Sequence, residues 1–244
     1  MSVNYQPATE PEEVEQQVFE QPPIPFPTYT VVLIGAIGCV FAAQLKAGLT
    51  ESVELAGFVK PLFLDADQYW RILTGAALHA GPLHVAMNCY AFYSFGKVFE
   101  FLSARAHLPI VFLLAAVGGG LLSLVASPTG TSVGASGGIL GVIGYLAVYA
   151  FRRRQFVSPQ FRKDMLINIG FVLVFGLVLF GQIDNFAHIG GLLVGTAYAF
   201  LQIPTDEHTD PRISGAAGDI AGLAALGVYM ATCVFAALVI LRLV

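Results

Sequence analysis

Polar and charged residues are bunched along this chain. Between the bunches run seven stretches, about 29–46, 82–100, 108–127, 136–151, 165–181, 186–203 and 219–243, in which apolar residues dominate. A helix crossing the hydrocarbon core of a bilayer needs roughly 20 predominantly apolar residues. In lipid every backbone polar group must be satisfied within its own segment, so helix is the expected form of each stretch. The predicted fold class is all-α, a polytopic helical bundle in a membrane. The fourth to sixth stretches are short for a span. The longest connection, 46–79, mixes apolar residues (Phe58, Val59, Leu62, Phe63, Leu64) with charges (Glu51, Glu54, Lys60, Asp65, Asp67). It is too polar to span and too apolar to float free, which predicts an interfacial, partly embedded loop. Trp70 and Tyr69 would lie at the headgroup level, where aromatic rings with a polar edge concentrate.

Composition supports a lipid environment. Of the 244 residues, 56% are hydrophobic and 11% charged, against roughly 45–50% and 25% in soluble domains. Residues 1–28 differ from the rest: they carry Glu10, Glu12, Glu13, Glu15 and Glu20, several prolines, and no Lys or Arg. They read as a solvated, disordered tail, lacking the basic start and apolar run of a signal peptide and the Arg-rich character of a transit peptide. Residues 29–203 would form a six-helix core, and 204–244 a linker and seventh helix. There is no basic patch of the kind that binds nucleic acid. Cys39, Cys89 and Cys233 each sit in an apolar run and read as small buried hydrophobes rather than disulfide or metal partners.

Charge also orients the bundle. Lys97, Arg105, Arg152, Arg153, Arg154, Arg162, Lys163 and Arg212 fall on one side, against Lys46, Lys60, Arg71 and Arg242 on the other. The excess of positive residues on the cytoplasmic side of membrane proteins predicts a cytoplasmic N-terminus. The second, fourth and sixth stretches then all run from outside to inside, so that their N-terminal ends share one depth. Those ends carry His84 and Asn88, Ser136, and His188.

Around Ser136 the sequence reads Gly134-Ala135-Ser136-Gly137-Gly138. A glycine-flanked serine at a helix start offers an accessible nucleophile beside free N–H groups that can hold an oxyanion. The same residues also suit an N-cap serine in a packing segment. His188, in Asp184-Asn185-Phe186-Ala187-His188-Ile189-Gly190-Gly191, is an ionisable residue in an apolar stretch. It is either a general base for a serine hydroxyl or a structural histidine bonded to a neighbouring helix. Gly137 and Gly141 form one Gly-x-x-x-Gly pair, and Gly191 and Gly195 another. Such pairs let backbones approach closely, as a Ser–His hydrogen bond requires. His84 and Asn88 are four apart and share a helical face; with the Ser136 N–H they can form an oxyanion hole. A metal site from His79, His84 and His188 is the rival, with no His-Glu-x-x-His pattern behind it. Asp184 reads either as a triad acid orienting His188 or as a helix N-cap.

Taken together, Trp70-Arg71, the His79, His84 and Asn88 cluster, Gly96 with Glu100, Gly134-Ala135-Ser136-Gly137, and Ala187-His188 with Gly191 and Gly195 resemble the rhomboid family of intramembrane serine proteases. The resemblance covers about 29–203. It implies a Ser136 nucleophile, a His188 general base, and an oxyanion hole from His84, Asn88 and the Ser136 backbone, with Gly134 in support. It implies single-pass transmembrane substrates reached from the lipid bilayer, and no metal or organic cofactor. The lack of a recognisable targeting segment favours a bacterial cytoplasmic membrane over an organelle. Two positions depart from the pattern. Leu140 stands where many relatives carry an aromatic against the imidazole, so that His188 is held either less firmly or by another ring such as Phe186 or Tyr145. The seventh stretch follows a core that is often only six helices long. Inactive rhomboid-like proteins that bind membrane clients are the alternative, marked by loss of the serine or histidine, and both residues are present here. A small transporter fits poorly, since charges inside the stretches are nearly absent.

Overall fold

The structure is a computed structural model that describes residues 25–178, 183–206 and 208–244. Its elements, in order, are α1 (Thr28–Ala47), α2 (Leu49–Ala56), β1 (Phe58–Val59), α3 (Lys60–Asp65), α4 (Arg71–Thr74), α5 (Pro82–Leu102), α6 (His107–Ala126), β2 (Thr131–Ser132), α7 (Ser136–Arg152), α8 (Pro159–Val178), α9 (Asn185–Gln202) and α10 (Gly215–Ile240). The protein is mostly helical, as the apolar stretches require. By length and composition α1, α6 and α10 are long and apolar enough to cross a membrane, and α7 is a shorter apolar helix. Among the described residues the small exception to an all-α chain is one antiparallel pair, with Phe58 opposite Ser132 and Val59 opposite Thr131.

Several boundaries move from expectation for local reasons. The fifth stretch was expected from 165, but α8 begins at Pro159. Its first turns hold Arg162, Lys163 and Asp164, which a search for apolar runs passes over, and the Ser158 hydroxyl accepts from the Phe161 N–H at 3.1 Å. The expected end, 179–181, lies outside the described residues. α10 both starts and ends earlier than 219–243. The expected tail, 1–28, lies largely outside the described residues. At its end α1 has already begun, because the Glu100 carboxylate accepts from the Thr30 N–H at 2.8 Å and the Thr30 hydroxyl at 2.7 Å. Those bonds satisfy donors that a helix N-terminus leaves free. A side chain at Gly96 would collide with Thr30, so the glycine is what lets α1 and α5 close on this contact.

The 46–79 connection folds rather than floats. Arg71 is buried and its guanidinium donates to the carbonyls of Gly57 at 2.8 Å and Glu54 at 3.2 Å. The Thr74 hydroxyl donates to the Ala56 carbonyl. The Trp70 ring packs edge-on to Phe235 of α10 at 5.3 Å, while Tyr69 stays exposed. Cys89 is half-buried and Cys233 buried, but Cys39 is exposed on α1, so it is not the buried hydrophobe expected; all three are free thiols.

The core is built on α7, which is buried almost from end to end between α6 and α9. Glycines set these crossings. A Cβ at Gly191 would fall inside contact of the Gly137 carbonyl, and one at Gly195 inside contact of the Gly141 carbonyl. Gly119 meets the Ala187 carbonyl in the same way across α6 and α9. α8 lies outside this trio and buries only Met165 and Gly176. The structure therefore predicts that Gly195→Val, which must force α7 and α9 apart, destabilises the fold by about 1–3 kcal/mol or more. Thermal unfolding in detergent measures it, with Gly38→Val, a position with open space around it, as the control that leaves the midpoint nearly unchanged.

Candidate active site

Ser136 is the first residue of α7. Its side chain is not the helix cap that one reading of the sequence allowed. Ala135 holds the N-cap position and makes no side-chain cap. The Ser136 Oγ instead lies 2.7 Å from Nε2 of His188, on the first turn of α9. His188 is buried, 8% exposed, while Ser136 is half-buried. At this distance a neutral imidazole can accept the hydroxyl proton. The first N–H groups of α7 have no partner within the helix and stand beside the same hydroxyl.

The Asp184 carboxylate does not orient the imidazole. One oxygen accepts from the Ala187 N–H at 3.0 Å and caps α9. The other accepts from the hydroxyls of Ser123 and Ser132 and faces Lys60 Nζ at 3.7 Å. The His188 Nδ1 finds no protein acceptor among the described residues. The arrangement is a serine–histidine pair, not a triad. Neither ring expected to hold His188 does so. Phe186 is 39% exposed. Tyr145 is fully buried elsewhere, tilted against Phe99 at 4.4 Å and bonded to Ser103 at 2.5 Å. Leu140 is buried in the apolar core. What fixes His188 is the backbone of α9, through its cap and its glycine contacts.

His84 approaches from the start of α5. Its Nδ1 accepts from the Ala80 N–H at 3.3 Å, which leaves the proton on Nε2 as a donor. A Cβ at Gly134 would lie 2.9 Å from that Nε2 and 3.8 Å from the Ser136 Oγ. The imidazole thus faces the loop that delivers the serine. Gly134 has φ of +129°, a conformation that disfavours a side chain, and its N–H donates to the Gly75 carbonyl at 2.9 Å. Asn88 is buried on the same face, but its Nδ2 donates to the His84 carbonyl at 3.0 Å. The two are neighbours through that bond, and the amide is not aimed at Ser136 by any bond of its own. His79 is fully buried, its ring 5.0 Å from that of His84. No group of three or more His, Cys, Asp or Glu side chains is placed to hold a metal among the described residues. A cavity of about 610 Å³ lies apart from these groups, lined by Glu100, Ser103, Arg105, Arg212 and Asp219 among others.

Lys60, Ser123 and Ser132 were missed by the sequence reading. They lie in three separate elements, and no local pattern joins them. A lone lysine in an otherwise apolar loop segment was the available signal.

The sequence matches the Rhomboid domain family over residues 66–205. It is 34% identical over 182 residues to the rhomboid protease GluP of Bacillus subtilis, covering 73% of this chain and 36% of that one. It is 31% identical over 140 residues to the mitochondrial RHOMBOID-like protein 6 of Arabidopsis thaliana, covering 57% of this chain and 45% of the relative. It is also 31% identical over 140 residues to human inactive rhomboid protein 1, covering 57% of this chain and 16% of the relative. The chain thus spans less than half the length of each of these relatives.

The contact between Gly134 and His84 carries a prediction. Gly134→Ala should cost about 1–3 kcal/mol through its backbone conformation and push the His84 ring away from Ser136. The expected result is a lowered unfolding midpoint together with slower labelling of Ser136 by a fluorophosphonate probe.

Proposed function

The chain belongs to the rhomboid family, and on that premise we propose that it is an intramembrane serine endopeptidase that cleaves single-pass transmembrane proteins. The observation that carries this reading is the 2.7 Å contact between the Ser136 hydroxyl and the His188 imidazole. The chain is an integral membrane protein, as its family and apolar helices indicate. In the proposed arrangement all seven long helices cross the bilayer, a six-helix core followed by α10, with the N-terminus cytoplasmic. The starts of α5, α7 and α9 then face the outer side of a bacterial cytoplasmic membrane.

His188 Nε2 takes the Ser136 proton as Oγ attacks the scissile carbonyl of an unwound substrate segment. The carbonyl π electrons move to oxygen, and that oxyanion is held by the Ser136 N–H and by the protonated Nε2 of His84. Asn88 supplies a further donor once its amide turns from the His84 carbonyl. Collapse of the tetrahedral species breaks the C–N bond, and His188 gives its proton to the departing amine. Water, deprotonated by the same imidazole, then hydrolyses the acyl-enzyme. Donors fixed before the reaction act strongly in a site of low dielectric. None of these steps calls for a metal or organic cofactor.

A second reading comes from the similarity to inactive rhomboid protein 1: a silent protein that binds membrane clients. The retained serine and histidine, and their hydrogen bond, favour the enzyme. Incubation of purified protein with a panel of single-span substrates separates the two. Ser136→Ala and His188→Ala are expected to abolish cleavage. His84→Ala is expected to lower kcat by roughly 10²–10³-fold, the usual cost of one oxyanion donor. Full cleavage by either dyad variant, or no cleavage and no fluorophosphonate labelling by the wild type, overturns the assignment.

A further inference from the structure

We propose that Lys60 and Asp184 form a positioning clamp that ties the first loop to the first turn of α9 and so holds His188 in register with Ser136; this rests on the protease reading above. Lys60 is 2% exposed, although it stands in a connection rather than a helical core. Its ammonium donates to the Ser123 hydroxyl at 2.7 Å and faces Asp184 at 3.7 Å. The Asp184 carboxylate in turn gathers Ser123 from α6, Ser132 from β2 and the Ala187 N–H from α9. The main chain at Lys60 is fixed as well, its N–H donating to the Gly130 carbonyl at 3.2 Å. Four segments distant in sequence meet at one ion pair.

A cap alone does not account for this. Asn or Ser caps a helix as well as Asp does, and neither demands a buried cation. Burying an ammonium is costly unless it is paired and hydrogen-bonded. What the pair adds is a link between the loop and the helix that carries His188. The His188 N–H bonds to the Asp184 carbonyl at 3.2 Å, so the clamp lies one helical turn from the imidazole. That imidazole has no protein partner on Nδ1 among the described residues, which leaves its placement to the backbone. Burial pushes the Asp184 carboxyl up, but its bonds to Ser123, Ser132 and Ala187, with the Lys60 charge, outweigh this and keep it below its usual range. Burial lowers the Lys60 ammonium against the pull of Asp184.

The test uses the full chain with Lys60→Met, Asp184→Asn, the double variant and Lys60→Arg. Misplacing a catalytic group by about 1 Å can cost on the order of 10²-fold. Each single variant is therefore expected to lower kcat by about tenfold or more, with KM changed less than about twofold. Fluorophosphonate labelling of Ser136 should slow in parallel. The double variant should be no worse than the poorer single one, since the two residues act as a unit, and Lys60→Arg should restore most of kcat. Hydrogen exchange of peptides covering 183–190 should quicken in Lys60→Met at a temperature where the fold is intact. Unchanged kcat in Lys60→Met, or losses that multiply in the double variant, overturns the clamp as a positioning device. A wild type that neither cleaves nor labels removes the protease reading instead. The exchange readout then decides the clamp alone, and unchanged protection in Lys60→Met overturns it.

Discussion

Backbone meets backbone where α7 crosses α9, because Gly137, Gly141, Gly191 and Gly195 carry no side chains to hold the helices apart. In lipid there is no hydrophobic force between helices, so close van der Waals packing of small residues takes over. That crossing sets the distance between the first turns of the two helices, and the first turns carry Ser136 and His188. α6 completes the arrangement from the other side, with Gly119 against the Ala187 carbonyl and Gly190 against Gly118. The packing of these three helices thus brings the Ser136 hydroxyl and the His188 imidazole within hydrogen-bond distance of each other.

Polar groups buried in this bundle are mostly spoken for. Glu100 caps α1, Arg71 holds the carbonyls of the first loop, and Arg153 donates to the Asp206 and Thr209 carbonyls. A polar group left unpaired in a low-dielectric interior is costly. Among the described residues, buried polar atoms without a protein partner include both ring nitrogens of His79, Nδ1 of His188 and Oδ1 of Asn185. The His188 atom belongs to the ring whose Nε2 meets the Ser136 hydroxyl, and the His79 ring lies 5.0 Å from that of His84, whereas Nε of Arg153, also without a partner, lies at the other end of α7.

The seventh helix places no side chain beside Ser136, yet it is not an accessory. Phe235 packs on Trp70, the Tyr229 hydroxyl donates to the Ala76 carbonyl at 3.3 Å, and Arg242 pairs with Glu51. All three contacts land on the connection that leads into His79 and His84. α10 braces the loop from one side while Asp184 and Ser132 hold it from the other.

Much of the helical framework was legible from consecutive residues. Long apolar runs located α1, α5, α6, α7 and α9 to within two residues, because run length and a helix-starting Pro82 or a capping Asp184 are properties of adjacent positions. α8 began early since its first turns are charged. The serine, the histidines and the glycine pairs were legible as types of residue at suggestive spacings, but their roles stayed open. Whether Asp184 was a triad acid or a cap depended on which donors surround it, and Ser123, Ser132 and Lys60 come from three other segments. Whether Tyr145 or Phe186 touched His188 depended on how α7 and α9 are rotated about their axes. Apolar run length and helix capping are local, so the sequence by itself determined the helices and the reactive residues at their ends. The partner of each buried polar group is set by where helices cross and how closely, and only the tertiary structure decided that.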